Sequence, residues 1–256
     1  METLGFSTNP FGGVNLDPLG LPEDPQRFRT QLAHSIDQWT ADGYKVAWAE
    51  LPITKAELIP AAVEAGFEFH HTSETYLMMT LRLIEGAYVP PYATHYIGAG
   101  AVVLSDAGEL LVVSERYRMG GGRGPGYKLP GGALQPGEHL VDAVVREVHE
   151  ETGVRVKFDS LACFRHWHGY RYDKSDIYFV CRLSPLSRDI TMQEDEIAEC
   201  LWMPVDKFLD DPGISPFNKT IVRAALDSPG IEPAFVDGYG DPARFEFFMP
   251  RDGAKP

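Results

Sequence analysis

Gly132 to Val154 reads GALQPGEHLVDAVVREVHEETGV, and the spacing within it decides the fold. Between Glu138 and Thr152 the residues Val141, Val144, Val145 and Val148 recur at helical intervals, which predicts an amphipathic helix with one apolar stripe. Gly153 follows as the left-handed residue that ends it. Glu147, Glu150 and Glu151 fall three and four residues apart, on a neighbouring stripe expected to face solvent. Three carboxylates in the last turns repel one another and oppose the negative end of the helix dipole. Each conflict costs a few tenths to about 1 kcal/mol. Helix stability alone does not select that pattern. A hard divalent cation removes the conflict, because Mg²⁺ and Mn²⁺ prefer carboxylate oxygens. Arg146, adjacent to Glu147 and four residues before Glu150, has the donor fork to orient one carboxylate. The plain alternative is a solvated acidic helix face.

The order is Gly132, five residues, Glu138, seven residues, Arg146-Glu147, Val148, one residue, Glu150-Glu151, one residue, Gly153-Val154. At every fixed position it resembles the signature of the Nudix hydrolases. The likeness extends through VAWAELPITKAELIPAAVEAGFEFHHTSETYLMMTL, PPYATHYIGAGAVVL, RHWHGYRYDKSDIYFVCRL and EDEIAECLWMPVDKF, which are similar to the Nudix-type 6 subgroup. The resemblance implies an α+β chain: an α/β/α sandwich preceded by a small α/β domain similar to half of an acetyltransferase fold. No phosphate-cradling acetyltransferase motif precedes residue 90, so acetyl transfer is not expected. The implied chemistry is Mg²⁺- or Mn²⁺-dependent hydrolysis of a nucleoside diphosphate linked to another group, with ADP-ribose and NADH as leading substrates. Glu150 and Glu151 are then the main metal ligands, with Glu138 assisting through water and Gly131 either offering its backbone carbonyl or making a plain tight turn after Pro130. Glu147 is a further ligand or the base, held by Arg146. Two rivals stay open: hydrolysis of dinucleoside polyphosphates or damaged nucleotides, and a regulator that keeps the fold without catalysis. Two departures from the subgroup, Tyr127 in place of a Trp and the glycines from 120 to 126, fall beside the expected substrate pocket.

The composition agrees with a nucleotide hydrolase of small molecules. With 256 residues and 44% hydrophobic content the chain can bury a sizeable core. A net charge of −14 disfavours nucleic-acid binding, which needs a basic footprint. It also sets an anionic substrate against an acidic protein, a conflict that bridging cations resolve. No apolar run is long enough for a membrane span, and METLGFSTNPFGG lacks the charged-then-apolar pattern of a secretory signal. Cys163, Cys181 and Cys200 show no zinc or disulfide spacing, so a cytoplasmic protein with reduced thiols is expected, assembled as a homodimer.

The two prolines of Tyr88-Val89-Pro90-Pro91-Tyr92 separate two halves. Residues 1–92 read as an α/β domain. Its first helix starts at Pro25, with Phe28, Leu32, Ile36 and Trp39 on one face, and Gly43 ends it. Thr54 and Glu57 predict a capping box for a second helix that Gly66 terminates. Residues 93–226 read as the hydrolase domain, with a glycine-rich loop from Gly120 to Gly126, and residues 227–256 as an appended tail. Outside the signature, His166, Trp167, His168, Tyr170 and Tyr172 form an aromatic patch. Tyr170 and His168 are candidates to hold a nucleobase, although strand alternation equally places half of the patch elsewhere. Lys174 and Asp176 are substrate-contact candidates or a plain hairpin pair. Glu196, in the loop QEDEIAE, is a candidate functional carboxylate or a solvated turn.

Overall fold

The computed structural model describes residues 1–117 and 126–250, so most of the 120–126 glycine loop lies outside the described residues. The chain divides into two compact units, 1–94 and 95–256.

In the first unit β1 (Phe6–Thr8), β2 (Val14–Leu16), α1 (Pro25–Ala41), β3 (Val46–Pro52), α2 (Ile59–Glu64), β4 (Glu68–Thr72) and β5 (Tyr76–Arg82) follow one another. They build a five-stranded sheet in the order β1-β2-β3-β5-β4. Helix α1 begins as its sequence predicts: Pro25 needs no amide partner in the first turn, and the Asp24 carboxylate accepts from the Arg27 amide at 2.7 Å. Phe28, Leu32 and Trp39 are fully buried, with Ile36 packed against them. The capping box does not form. Residues Ile53–Leu58 make a 3₁₀ turn, and α2 starts only at Ile59 with Leu58 as its cap and no side-chain bond. Pro60, which lacks an amide and fits the first turn of a helix, sets the later start.

The second unit contains β6 (His95–Val103), β7 (Glu109–Glu115), β8 (Gly131–Ala133), α3 (Leu140–Thr152), β9 (Val156–Trp167), β10 (Ser175–Pro185), β11 (Ile197–Pro204), α4 (Val205–Asp210), α5 (Pro216–Asp227), β12 (Glu232–Ala234) and β13 (Phe247–Met249). A four-stranded sheet runs β8-β6-β10-β9, and β7 pairs with β11. Along β6 alternate residues serve two cores, as the two-residue period of a strand requires. Ala99, Ala101 and Val103 pack with Val144 and Val148 of α3, while Val102 packs with Phe208 of α4 and Ile221 and Val222 of α5. Helices therefore cover both faces, and the layers are α/β/α.

Residues 228–250 are no loose appendage. Ile231 bridges to Leu161, β12 pairs with β13, and Phe248 packs on Phe158. His139 caps α3 without a side-chain bond. In its place the Glu246 carboxylate accepts from the amides of Leu140 at 2.9 Å and Val141 at 3.2 Å. A distant acidic residue thus satisfies the first amides of the signature helix and complements its positive end. Among the described residues no helix is long and apolar enough to cross a membrane.

Candidate active site on the signature helix

The turns of α3 do not present their glutamates evenly to solvent. Glu150 is half exposed at 51%, but Glu147 is 16% and Glu151 8% exposed. The solvent-facing stripe expected from spacing is corrected by β8, which lies over the second half of the helix. Gly132 sits so close that an added Cβ would stand 2.7 Å from the Glu147 carboxylate. Gly131 adopts φ 146°, a conformation L side chains rarely take, and its amide donates to Glu151 at 2.9 Å. Gly153 ends the helix at φ 71°, as its place in the motif predicts.

Arg146 gathers the remaining carboxylates. Its Nε and Nη2 fork onto Glu138 at 2.7 and 2.9 Å, while Nη1 donates to Glu147 at 2.9 Å and to Glu150 at 2.8 Å. The bidentate partner is Glu138, eight residues back, and not the adjacent Glu147. Hydrogen bonding from Arg146 holds the Glu138 carboxyl below its usual range. Desolvation outweighs Arg146 at Glu147 and raises its pKa. Burial dominates at Glu151 and pushes it up to about 7, against the opposing pull of Lys128 and the Gly131 amide.

Two further residues of this centre carry no signal in the motif itself. Lys128 lies 2.5 Å from Glu115 and 4.0 Å from Glu151, so a cation stands beside the buried glutamate. Glu115 ends β7, and only the pairing of Val113 with Lys128 brings it there. Tyr127, the departure from the subgroup pattern, is pushed up to about 12 by burial and by a hydrogen bond with Glu199.

Beside these groups opens a cleft of about 600 Å³. Gly98, Gly131, Gly132, Lys128 and Glu115 line it together with Tyr96, Trp167, Tyr170, Arg165, Asp176 and Phe217. Strand alternation divides the aromatic patch. Trp167 and Tyr170 reach the cleft, their rings 5.4 Å apart. His168 does not: its Nδ1 bonds Ser175 Oγ at 2.8 Å and its ring meets His166, whose Nε2 lies 2.9 Å from that of His95. Tyr172 is 85% exposed with φ 54°. Of the two residues flanking Ser175, Asp176 lines the cleft and Lys174 is not among its described lining residues. Lys174 instead closes the hairpin, its amide donating to Arg171 O at 3.1 Å. The Glu196 side chain is exposed and likewise absent from that lining, although its carbonyl accepts from the Arg116 amide at 2.8 Å, one residue from Glu115.

Comparison with known proteins bears on this arrangement. Residues 94–225 match the model of the NUDIX domain, and residues 4–83 match that of a Nudix hydrolase domain. The chain belongs to the Nudix hydrolase family. It is 39% identical over 206 residues to Nudix hydrolase 8 of Arabidopsis thaliana, covering 80% of this chain and 56% of that one. Nudix hydrolase 2 of the same plant is 39% identical over 218 residues, covering 85% of this chain and 77% of that protein. Nucleoside diphosphate-linked moiety X motif 6 of Mus musculus is 37% identical over 207 residues, covering 79% of this chain and 65% of the mouse protein. This chain therefore spans a little over half of the first relative and most of the second. Helix α3 of this family member, called the Nudix helix below, lies within the residues matched to the NUDIX domain.

Whether the Nudix helix can hold a divalent cation is a question of donors. All the candidates are hard oxygens: carboxylates of Glu147, Glu150, Glu151 and Glu138, and the carbonyl of Gly131, whose amide donates to Glu151. Among the described residues no three such side chains already stand together as a cage. Arg146 occupies three of them, and the raised Glu151 shows a buried carboxylate whose charge is poorly compensated. That donor set suits Mg²⁺ or Mn²⁺ and would be poor for a thiolate- or imidazole-seeking metal.

Proposed function

We propose that this protein hydrolyses the diphosphate of a nucleoside diphosphate linked to a second group, with ADP-ribose and NADH as leading substrates and Mg²⁺ or Mn²⁺ as cofactor. The observation that carries the reading is that Gly131 and Gly132, which line an aromatic cleft sized for a small molecule, abut Glu151 and the Arg146-bonded Glu147. The name of the mouse relative, nucleoside diphosphate-linked moiety X motif 6, supports the substrate class.

Glu147, Glu150 and Glu151 would hold the cation, with Glu138 and the Gly131 carbonyl at its margin. A cation bound there supplies neutralisation of the diphosphate oxygens and lowers the pKa of water at neutral pH. The protein's own residues do the rest. Glu147, raised by desolvation and bonded to Arg146, is placed to take a proton from the attacking water. Arg146 fixes Glu147 and Glu150 in one arrangement, so little reorganisation remains when charge develops. Lys128 carries positive charge to the same cleft. Trp167, Tyr170 and Tyr96, which line the cleft, offer ring faces to a base. A cytoplasmic location and a homodimer belong to the same proposal; the three free cysteines support the location.

A substrate panel with Mg²⁺, with Mn²⁺ and with chelator tests this. ADP-ribose is expected to give AMP and ribose 5-phosphate, and NADH to give AMP and reduced nicotinamide mononucleotide. In ¹⁸O-labelled water only the product of the attacked phosphorus gains label. Release of inorganic phosphate with no AMP overturns the reading.

A further inference from the structure

Asp176 is the most enclosed charged group of the cleft. It stands on β10 with Tyr96 opposite on β6 and Trp167 opposite on β9, and it is 7% exposed although it lines the cavity. One carboxylate oxygen is ion-paired with Nη2 of Arg165. No further hydrogen-bond donor to this carboxylate is found among the described residues. A buried carboxylate accepts at two oxygens and is costly to leave half satisfied.

Arg165 cannot readily leave its partner. Its guanidinium lies 5.2 Å from the centre of the Trp167 ring, 5.5 Å from Tyr178 and 5.1 Å from Phe217, so three aromatic faces hold the plane. Its Nε is buried and has no acceptor among the described residues. Arg165 therefore neutralises much of the Asp176 charge and leaves the second oxygen as a rigid acceptor in the cleft wall. Such an oxygen repels phosphate and selects neutral donors.

The place of Asp176 says which donors. Tyr170 meets Tyr96 at 5.8 Å and Trp167 at 5.4 Å, and these two flank Asp176 in strand register. Gly98, two residues along β6 from Tyr96, pairs with Ala133, and the neighbouring Gly132 brings bare backbone to Glu147. A nucleotide with its diphosphate at the glutamates and its base against the rings carries its sugar between them. We propose that Asp176, positioned by Arg165, accepts hydrogen bonds from the vicinal ribose hydroxyls of the nucleoside half, so that the site selects ribonucleoside over deoxyribonucleoside diphosphates. The assignment rests on the function proposed above for where the diphosphate lies. Asp176 is the specificity residue; Arg165 is a positioning residue.

Binding of ADP and of 2′,3′-dideoxy-ADP to the full chain in Mg²⁺, followed by calorimetry, reads the contact without turnover. Wild type is expected to prefer ADP at least about tenfold, since a site built to bond a hydroxyl rejects the analogue lacking it. In Asp176→Asn the preference should fall to about threefold or less. Arg165→Lys, which keeps charge and loses the fork, should give an intermediate ratio, a change that general destabilisation does not produce. If Asp176→Asn does not fold, the pair Arg165→Met with Asp176→Leu replaces the ion pair by apolar volume and must lose the preference equally. Equal affinities in wild type, or an undiminished ratio in a folded variant, overturn the inference. So does loss of preference for ADP over inosine diphosphate in Asp176→Asn with the sugar ratio intact, which assigns the carboxylate to the base edge. A sugar preference without hydrolysis of any nucleoside diphosphate derivative sustains the inference and refutes the hydrolase reading. Hydrolysis of ADP-ribose with no sugar preference does the reverse, and absence of ADP binding refutes both.

Discussion

Single carboxylates of the Nudix helix differ in what they risk. Glu150 is half exposed and, among the described residues, bonded only to Arg146, so Glu150→Gln removes charge at little structural cost. Its turnover should fall at least about 10²-fold, roughly 2.7 kcal/mol of transition-state stabilisation, with the unfolding midpoint unchanged or slightly raised. Rates near wild type would refute its role as a ligand. Glu151 is the opposite case. Burial raises its pKa to about 7, so the fold favours its neutral form. The stabilisation is fully present below the ordinary carboxylate pKa and is lost as pH rises through about 7. In chelator, Glu151→Gln should therefore gain stability relative to wild type between pH 5 and pH 8. Denaturant titrations at the two pH values check this, and a difference of the opposite sign would mean that Lys128 dominates the site.

Elements impose constraints that no single residue shows. Strand β8 meets α3 through Gly132 and Glu147, and the space for a Cβ is taken by the carboxylate. Gly132→Ala should displace Glu147 and lower kcat more than tenfold while far-ultraviolet circular dichroism stays native, because the fold can yield at a side chain. The C-terminal hairpin acts on the other end of the same helix. Glu246→Ala leaves the Leu140 and Val141 amides without their acceptor. A lost cap costs about 1 kcal/mol, or a fall in Tm of about 2–4 °C for a domain of this size. An unshifted melting curve would show that solvent replaces Glu246 without loss.

At the scale of the molecule, every group placed in the site belongs to residues 95–250. A polypeptide beginning at His95 should then retain the product pattern of the full chain. If the first unit serves assembly, light scattering should give a dimer for the full chain and a monomer for the shorter one. Identical masses for the two would assign the first unit some other task.

Local sequence was enough for α1, for the helix that bears the glutamates and for its glycine stop, because their causes lie within a few residues: periodic apolar positions, a capping aspartate, a left-handed glycine. The same reading missed the α2 start, where Thr54 and Glu57 matched a capping pattern but Pro60 set the geometry. It also took Glu151 for a surface group, since spacing assigns a residue to a helix face and not to what lies over that face. Packing of β8 decided that, and desolvation followed from it. Glu115, Lys128, Arg165 and Glu246 were illegible for one shared reason: each acts through a partner distant in the chain. The motif by itself determined the family, the helix and its donor chemistry. Tertiary structure alone decided which carboxylates are buried, which half of the aromatic patch faces the cleft and what caps the helix, because those depend on strand register and long-range contact.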